Sequence, residues 1–376
     1  MKLPNLSLYI HIPWCEKKCI YCDFNSYTYE KIPEKRYLKH LLLDLKDNLS
    51  FVQNRKIKTI FIGGGTPSIL KSSIIDKMLY KIKKMIEISN NAEITIEVNP
   101  NDITLDKVYQ YKKSGINRIS IGIQTFNNKK LKMLGRTHDT KQSKKAIKII
   151  KKMNFKNFNI DIIHSLPNQN IKESIYDVKK LIQLKPPHIS WYQLSIEKNT
   201  LLFHKENNLL KDEILWKIFN EGHKIIVDNN YKQYEISSYC YKNIYKCKHN
   251  LNYWRFGDYI GIGCGSHSKF TNLDGDITRI IKKKRILDYM NNNYIHKSYL
   301  VKSKDKIFEY FINKLRLYEH VSKNFFEKFK IKKNKKFFYA IKKAKINGYI
   351  IEKKNSWETT KKGKLYLNNL LEFFLP

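Results

Sequence analysis

Three closely spaced cysteines are the residues best suited to chemistry in this sequence. Cys15, Cys19 and Cys22 form a C-x3-C-x2-C pattern, and the aromatic residue Tyr21 directly precedes the third cysteine. Cysteine thiolates are the usual protein ligands of iron–sulfur clusters. Three of them can hold three irons of a [4Fe–4S] cluster and leave the fourth iron open. An open iron can bind a reactive ligand, so the pattern predicts chemistry as well as structure.

The other cysteines favour this interpretation over zinc or disulfides. Cys240, Cys247 and Cys264 lie far from the first three along the chain. Six cysteines in 376 residues do not indicate a disulfide scaffold. A zinc site would need a second half-site nearby, and no such half-site follows. We expect Cys264 to be a small buried residue.

The elements that must position these cysteines follow from the hydrophobic pattern. Short runs rich in Ile and Val alternate with helical patterns over the first 240 residues. The candidate strands are 6–12, 58–63, 93–98, 118–123, 157–163 and 188–194, and the candidate helices are 33–54, 72–89, 104–114, 140–153 and 170–184. Repeated strand–helix units with buried strands predict a parallel sheet, either open or curled into a barrel.

Polar or glycine residues stand at the ends of four successive candidate strands. They are the triplet Gly63-Gly64-Gly65, Glu97, Gln124 and Asp161. In a β/α barrel the carboxyl ends of the strands build the active site. The series therefore predicts one shared site, to which Arg136 could add a bidentate carboxylate clamp.

The remainder of the chain is predicted to differ in character. We expect a helix at 211–229, a strand at 232–238 and an ordered functional loop region at 240–270. The segment 344–376 predicts a helix, a turn at Gly348, a short strand and a further helix, which together resemble a winged helix. Such units often bind DNA, but a covering role is the simpler interpretation. The predicted domains are 1–238, 239–298 and 299–376.

Composition limits the classes of function. No stretch is apolar enough to predict a membrane span, and residues 1–14 do not resemble a signal peptide, so we expect a cytoplasmic protein. The formal net charge is +38, with 72 lysines and arginines against 34 acidic residues. Because the lysines are spread along the whole chain, we interpret the charge as a composition bias and expect no nucleic-acid partner.

The cysteine motif resembles that of the radical SAM superfamily. In this superfamily the open iron binds S-adenosylmethionine, and one electron cleaves a carbon–sulfur bond to give a 5′-deoxyadenosyl radical. The longer strings, from Leu8 to the last helix, resemble the oxygen-independent coproporphyrinogen III oxidase family. That resemblance implies a partial (β/α)6 barrel followed by a small helical, winged-helix-like C-terminal domain. It also implies the following S-adenosylmethionine contacts: Tyr9, Tyr21, Gly64, Gly65, Thr66, Glu97, Gln124, Arg136 and Asp161.

Two features resemble the heme chaperone branch of that family more than its true oxidases. The oxidases have a fourth cysteine two places after the third, where this chain has Phe24. They also have a long arm before the cysteines, where this chain has fourteen residues. Both departures favour a heme carrier. A coproporphyrinogen III oxidase remains the alternative, and an RNA-modifying radical SAM protein is a more distant one.

The string from Cys247 to Arg255 contains His-Asn-x-x-Tyr, which is similar to the heme-binding motif of the chaperone branch. A neutral imidazole, a thiolate or a phenolate can each bind heme iron, so His249 and Tyr253 are heme candidates. Trp254 could stack on the porphyrin and Arg255 could meet its propionates. The alternative is a buried polar loop that closes the barrel mouth. The expected partners are heme, a heme-acceptor protein, and an electron donor such as flavodoxin or ferredoxin.

One position departs locally from the family pattern. Ser165 stands where the family usually has glycine. If that position requires a positive φ, serine adds strain and alters the loop after Asp161.

Overall fold

A single twelve-stranded sheet forms the body of the fold. The structure, a computed structural model, describes residues 2–205, 210–331 and 335–375. Strand β1 (Leu6–Ile12) leads into the cysteine loop, which is flanked by two short paired strands, β2 (Trp14–Cys15) and β3 (Tyr27–Thr28). The strands that continue the parallel part of the sheet are β4 (Ile57–Gly64), β5 (Ile88–Val98), β6 (Arg118–Gln124), β7 (Phe158–His164) and β8 (His188–Gln193).

Helices connect the six successive parallel strands β1 and β4 to β8, which confirms the predicted (β/α)6 arrangement. They are α1 (Glu34–Asp47), α2 (Ser72–Met85), α3 (Leu105–Ser114), α4 (Asn128–Met133), α5 (Thr140–Lys152), α6 (Ile171–Gln183) and, after β8, α7 (Asp212–Asp228). Reciprocal capping boxes start two of them: Asp139 with Gln142, and Asn170 with Glu173. The predicted helix 33–54 is shorter than expected, and β5 begins at Ile88 rather than at 93.

The sheet has an apolar outer face and a polar inner face. In β1, Leu6, Leu8, Ile10 and Ile12 belong to the main hydrophobic core. The alternate residues Ser7, Tyr9 and His11 face the interior of the curved sheet, where Ser7 accepts a hydrogen bond from Thr59. Side chains alternate between faces along a strand, so one strand supplies both core and site. The inner face therefore requires hydrogen-bond partners.

The region 240–270 was predicted as loop, and this prediction is wrong. A hairpin of β9 (Tyr231–Glu235) and β10 (Ser238–Tyr241) leads into the region. The region then forms α8 (Lys248–Trp254), β11 (Asp258–Ile262) and β12 (His267–Thr271). Strand β11 pairs in parallel with β1 and extends the sheet. These elements are short and show no clear periodicity. Contacts with the sheet stabilise them, and an amphipathic pattern is not needed.

The sheet ends in an antiparallel edge, and a second hydrophobic cluster follows. Strands β13 (Ile277–Lys282) and β14 (Ile295–Leu300) complete the edge, with α9 (Ile286–Tyr289) between them. We call residues 301–375 the C-terminal unit. Its elements are α10 (Ser303–Lys314), β15 (Val321–Ser322), α11 (Phe325–Lys328), α12 (Lys335–Ile346), β16 (Ile350–Glu352), β17 (Ser356–Thr359), α13 (Lys361–Leu365) and α14 (Leu367–Glu372).

The C-terminal unit contains the predicted winged-helix-like order of elements, with one additional strand, β17. Strands β15, β17 and β16 form a separate three-stranded sheet. Gly348 makes the turn before β16 with a φ of +69°. The domain boundaries given above stay a prediction. No helix among the described residues is long and apolar enough to cross a membrane.

A buried ion pair fastens α1 to the outer edge of the sheet. Asp44 is inaccessible to solvent, and its carboxylate accepts hydrogen bonds from Lys282, from the Tyr289 hydroxyl at 2.7 Å and from the Gly263 backbone N–H at 3.1 Å. A buried charge without its partner costs much more than the intact pair contributes.

We expect Asp44→Ala to lower the free energy of unfolding by about 3–5 kcal/mol, because it leaves the Lys282 ammonium buried and unpaired. Adding Lys282→Met should recover part of that loss. Urea denaturation measures both variants. The control is Glu87→Ala, which removes an exposed partner of Lys56 and should cost less than about 1 kcal/mol. Equal costs for the buried and exposed pairs would contradict this account.

Candidate functional site

Backbone hydrogen bonds attach the cysteine loop to the end of β4. The Gly65 N–H donates to the carbonyl of Ile12 at 2.7 Å, and the Thr66 N–H donates to the carbonyl of Trp14 at 2.7 Å. The Thr66 hydroxyl lies 3.3 Å from the Cys15 sulfur. The strand end therefore fixes the position at which the first cysteine enters the site.

This approach is close enough to require glycine. A Cβ on Gly65 would lie 2.6 Å from the Trp14 carbonyl oxygen and 3.0 Å from the Cys15 sulfur. Gly64 has a φ of +113°, and a Cβ there would lie 2.6 Å from the His11 ring. The triplet thus lets the backbone pack directly against the cysteine loop.

We expect Gly65→Ala to reduce cluster loading strongly while the fold is kept, because the added methyl group displaces the loop at Trp14 and Cys15. Iron and sulfide per chain, measured after anaerobic reconstitution, give the result. The control is Gly348→Ala, where the added Cβ meets no neighbour within 4 Å in the described part of the chain; its positive φ of +69° should cost stability but not iron loading. Full iron loading of Gly65→Ala would contradict the packing argument.

A cavity of about 450 Å³ opens beside the cysteines at the carboxyl ends of the parallel strands. Its lining includes most of the predicted site residues: Cys15, Cys19, Cys22, Tyr21, Gly64, Gly65, Thr66, Glu97, Gln124, Arg136 and Asp161. Among the predicted cluster and S-adenosylmethionine residues Tyr9 is the exception, because it lines a second, adjoining cavity together with the heme candidates His249 and Tyr253. The polar strand ends that were identified in the sequence thus share one space.

The chemistry of the donors fits a cluster better than a single metal ion. No group of three His, Cys, Asp or Glu side chains in the described ranges is arranged to hold one ion. In a [4Fe–4S] cluster each thiolate binds a different iron, so its ligands stand apart rather than converging on one point. Burial raises the pKa of the Cys15 and Cys22 thiols, and metal coordination is the usual way to keep such thiolates ionised.

Arg136 braces the loop from the opposite side. Its guanidinium donates to the Asn99 side-chain oxygen at 2.9 Å and to the Gly122 carbonyl at 2.8 Å, and it lies 3.7 Å from the Cys19 sulfur. Burial raises the pKa of the Tyr21 phenol even though Arg136 opposes the shift. Nη2 thus links two strand ends, while Nε is buried without a partner among the described residues, so the carboxylate clamp stays a prediction.

The other side of this cavity is acidic. Glu97 accepts a hydrogen bond from the Gly64 N–H at 3.1 Å, and burial together with the nearby Asp161 carboxylate raises its pKa to about 8. Asp161 accepts a hydrogen bond from Asn159 at 2.7 Å, and its pKa is also raised by burial. Hydroxyl groups and a positive charge are the ligand features that two buried carboxyls favour. S-adenosylmethionine has both, so the residues present fit it.

Glu97 should make the ligand-free protein less stable as the pH rises. The folded state keeps the Glu97 proton up to about pH 8, whereas the unfolded carboxyl loses it near its ordinary pKa of 4.5. Between these values the unfolded state binds fewer protons, so the free energy of unfolding falls by at most about 1.4 kcal/mol per pH unit.

Urea denaturation of ligand-free protein from pH 5 to pH 8 tests this dependence. We expect Glu97→Gln to remove part of the slope and to gain stability relative to the parent at the higher pH. Parallel pH profiles for the two proteins would show that Glu97 does not carry the effect.

A second cavity, of about 830 Å³, adjoins the first. The two share Gly64, Glu97, Asn250, Trp254 and the loop residues Asp23 and Phe24. Aromatic and basic side chains line the larger one: Tyr9, His11, Phe61, His249, Tyr253, Tyr259, Lys269, Arg279 and Lys284. Phe24, which stands where the family's oxidases have a fourth cysteine, is 58% exposed at this shared boundary.

His249 lies in the wall of the larger cavity with both ring nitrogens occupied. The Thr59 hydroxyl donates to Ser7, so its 2.8 Å contact with Nδ1 makes that nitrogen the donor. Nε2 then accepts from the Tyr253 hydroxyl at 2.9 Å. Burial lowers the pKa of His249 to about 3, so the ring is neutral. In the ligand-free protein His249 is thus a buried polar residue of the barrel mouth, as in the alternative given above, and its ring is satisfied by the side chains of Thr59 and Tyr253.

Two predicted heme contacts differ in position. Trp254 lines both cavities, but Arg255 lines neither, because it forms an ion pair with Glu319 at 2.5 Å. Three of the basic residues that do reach the larger cavity, Lys269, Arg279 and Lys284, were not identified in the sequence. Their positions on and beside β12 and β13 depend on sheet pairing, for which the sequence gives no local signal.

Ser165 adopts the positive φ that its family position suggested, +61°. Its hydroxyl lies 2.9 Å from Nδ1 of His164, a local hydrogen bond. Serine therefore accepts a conformation that favours glycine.

Comparisons with known proteins agree with this fold and site. The model of the radical SAM superfamily matches residues 9–181. Heme chaperone HemW of Buchnera aphidicola subsp. Schizaphis graminum (strain Sg) is 53% identical over 377 residues, which cover 100% of this chain and 99% of the relative. Heme chaperone HemW of Escherichia coli (strain K12) is 44% identical over 376 residues, with 100% and 99% coverage.

A solved structure is also similar. Coproporphyrinogen III oxidase (HemN) from Escherichia coli, a radical SAM enzyme, matches with a TM-score of 0.86 and 21% identity over 99% of this chain and 90% of that one. At that identity the likeness shows the fold alone.

The fold and the cysteine loop define a radical SAM protein, a class whose cofactors are a [4Fe–4S] cluster and S-adenosylmethionine. Within that class, identity over the full length of curated relatives shows that the chain belongs to the HemW family. This confirms the predicted chaperone branch. The roles of individual site residues stay predictions.

Proposed function

We propose that this protein is a heme chaperone that binds a [4Fe–4S] cluster, S-adenosylmethionine and heme, and transfers the heme to an acceptor protein. The observation that carries the proposal is the full-length similarity to proteins named heme chaperone HemW. A second cavity lined by histidines and aromatic residues, next to the cysteine site, supports it. We further propose that the protein acts in the cytoplasm.

In this proposal Cys15, Cys19 and Cys22 hold the cluster, whose open iron would bind and activate S-adenosylmethionine. The smaller cavity supplies the rest of the cofactor site. Glu97 and Asp161 offer acceptors for hydroxyl or ammonium groups, and Gly64 and Gly65 let the backbone approach without a Cβ. Tyr9 would contact heme rather than S-adenosylmethionine, because it lines the larger cavity.

Among the three possible iron ligands in the motif, Cys247, His249 and Tyr253, the histidine is the best supported. Its ring is neutral and borders the larger cavity, as an axial ligand requires. Burial raises the pKa of the Cys247 thiol to about 12, and its sulfur contacts Glu93 at 3.7 Å away from the cavity lining. The Tyr253 hydroxyl already donates to Nε2 of His249 at 2.9 Å, and burial raises the pKa of its phenol. Binding at Nε2 requires the Tyr253 hydroxyl to move aside.

The heme acceptor and the electron donor, for which flavodoxin or ferredoxin is proposed, would be separate proteins. A carrier needs no radical chemistry to move heme, so S-adenosylmethionine could serve regulation. The alternative function, oxidative decarboxylation of coproporphyrinogen III, is suggested by the likeness of the fold to that of HemN. Phe24 at the position of the family's fourth cysteine disfavours it.

Heme titration of the anaerobically reconstituted protein, run beside a coproporphyrinogen III conversion assay, distinguishes the two functions. We expect tight heme binding and no decarboxylated product. His249→Ala should weaken heme binding and change its visible absorption spectrum, because the proposed iron ligand is gone.

The matched control is His296→Ala, since His296 is exposed on β14 and lines neither cavity. Conversion of coproporphyrinogen III with turnover would overturn the chaperone proposal. An unchanged heme spectrum in a correctly folded His249→Ala variant would remove that residue from the heme site.

A further inference from the structure

Arg316 reaches the cofactor site from the C-terminal unit. It follows α10 in the chain, and its guanidinium lies 4.4 Å from the centroid of the Trp254 ring. Arg316 lines the smaller cavity, whereas Trp254 lines both cavities. A guanidinium at this distance from an indole is held by a cation–π interaction. The arginine is therefore held at the boundary between the two cavities.

This guanidinium has no acceptor of its own. No carboxylate, carbonyl or hydroxyl of the described residues accepts a hydrogen bond from its side chain, and Nε is buried without a partner. Of the other arginines that line the cavities, Arg279 donates to Glu309 and Tyr259. Arg136 also has a buried Nε without a partner, but its Nη2 donates to Asn99 and Gly122. A buried polar group without a partner costs free energy, so the arrangement favours a ligand that supplies an acceptor.

The nearest acidic side chains do not fill this role. Glu235 lines the same cavity, but its carboxylate accepts from the Ser237 N–H at 3.3 Å and hydroxyl at 3.1 Å. Glu235 forms no ion pair with Arg316 within the part of the chain that the structure describes. Glu97, Asp161 and Glu197 also line this cavity, so a carboxylate ligand would need a nearby cation to enter it.

We propose that Arg316 binds a carboxylate group of the small molecule held at this site. The inference rests on the proposed function, which provides two carboxylate sources: the methionine end of S-adenosylmethionine and the propionates of heme. A planar guanidinium fits either one through paired hydrogen bonds. Arg136 is less available at Nη2, which already donates to both Asn99 and Gly122. In this way the C-terminal unit completes the ligand site.

Ligands with and without the carboxylate test the proposal on the reconstituted protein. The affinities of the parent, Arg316→Gln and Arg316→Lys are measured for heme, heme dimethyl ester, S-adenosylmethionine and decarboxylated S-adenosylmethionine. The matched control is Arg255→Gln, because Arg255 is the C-cap residue of the helix that contains Trp254 and pairs with Glu319 outside both cavities. Thermal unfolding verifies that each variant is folded.

We expect Arg316→Gln to weaken the carboxylate-bearing ligand about 10- to 100-fold, the range of a charged hydrogen bond, and to leave its esterified or decarboxylated analogue unchanged. Arg316→Lys should retain part of the affinity, and Arg255→Gln all of it. If only the affinity for heme falls, the carboxylate that Arg316 binds is a propionate. If only the affinity for S-adenosylmethionine falls, it is the methionine carboxylate.

Two results would overturn the proposal. One is unchanged affinity of Arg316→Gln for all four ligands. The other is an equal loss for each acid and its analogue, which would indicate a structural role. If the parent itself fails to bind heme, the chaperone function fails, but the S-adenosylmethionine pair still tests Arg316.

Discussion

The direct backbone contact between the end of β4 and the cysteine loop is the constraint on which the rest of the site depends. Two 2.7 Å hydrogen bonds, from Gly65 and Thr66 to the chain on either side of Pro13, set the height of the loop above the sheet. A side chain on Gly65 would occupy the same space as the Trp14 carbonyl. Because backbone atoms rather than side chains make this contact, the loop lies close to the strand end. Three thiols, two carboxyl groups and a guanidinium can therefore line one small cavity.

The second organising feature is the polar inner face of the sheet. Alternate residues of each strand face inward, and α8 enters from the connecting region to satisfy them. Glu93 accepts from the His249 N–H at 3.1 Å and lies 3.7 Å from the Cys247 sulfur, while His249 bonds Thr59. Arg118, which is 2% exposed, lies among these groups; burial works to lower its pKa, but nearby acidic groups such as Glu93 raise it overall. The helix that carries the heme candidates is thus also a structural part of the barrel interior.

Much of the barrel and of its cysteine site could be predicted because their signals are local. Ile-rich strands with polar ends predicted where Glu97, Gln124 and Asp161 would meet, and the structure brings them into one cavity. The position of Tyr9 could not be predicted, because neighbours on other strands decide which cavity a strand residue borders. The secondary structure of 240–270 and the approach of Arg316 to Trp254 depend on long-range contacts that no sequence pattern encodes.

The central claim is that three cysteines hold a four-iron cluster and leave one iron open to a ligand. Mössbauer spectroscopy of protein reconstituted anaerobically with ⁵⁷Fe, recorded with and without S-adenosylmethionine, tests it most directly. The account predicts a [4Fe–4S] spectrum in which one iron of the four changes when S-adenosylmethionine is added. Protein without a cluster, or a cluster whose four irons are all unaffected by S-adenosylmethionine, would contradict it.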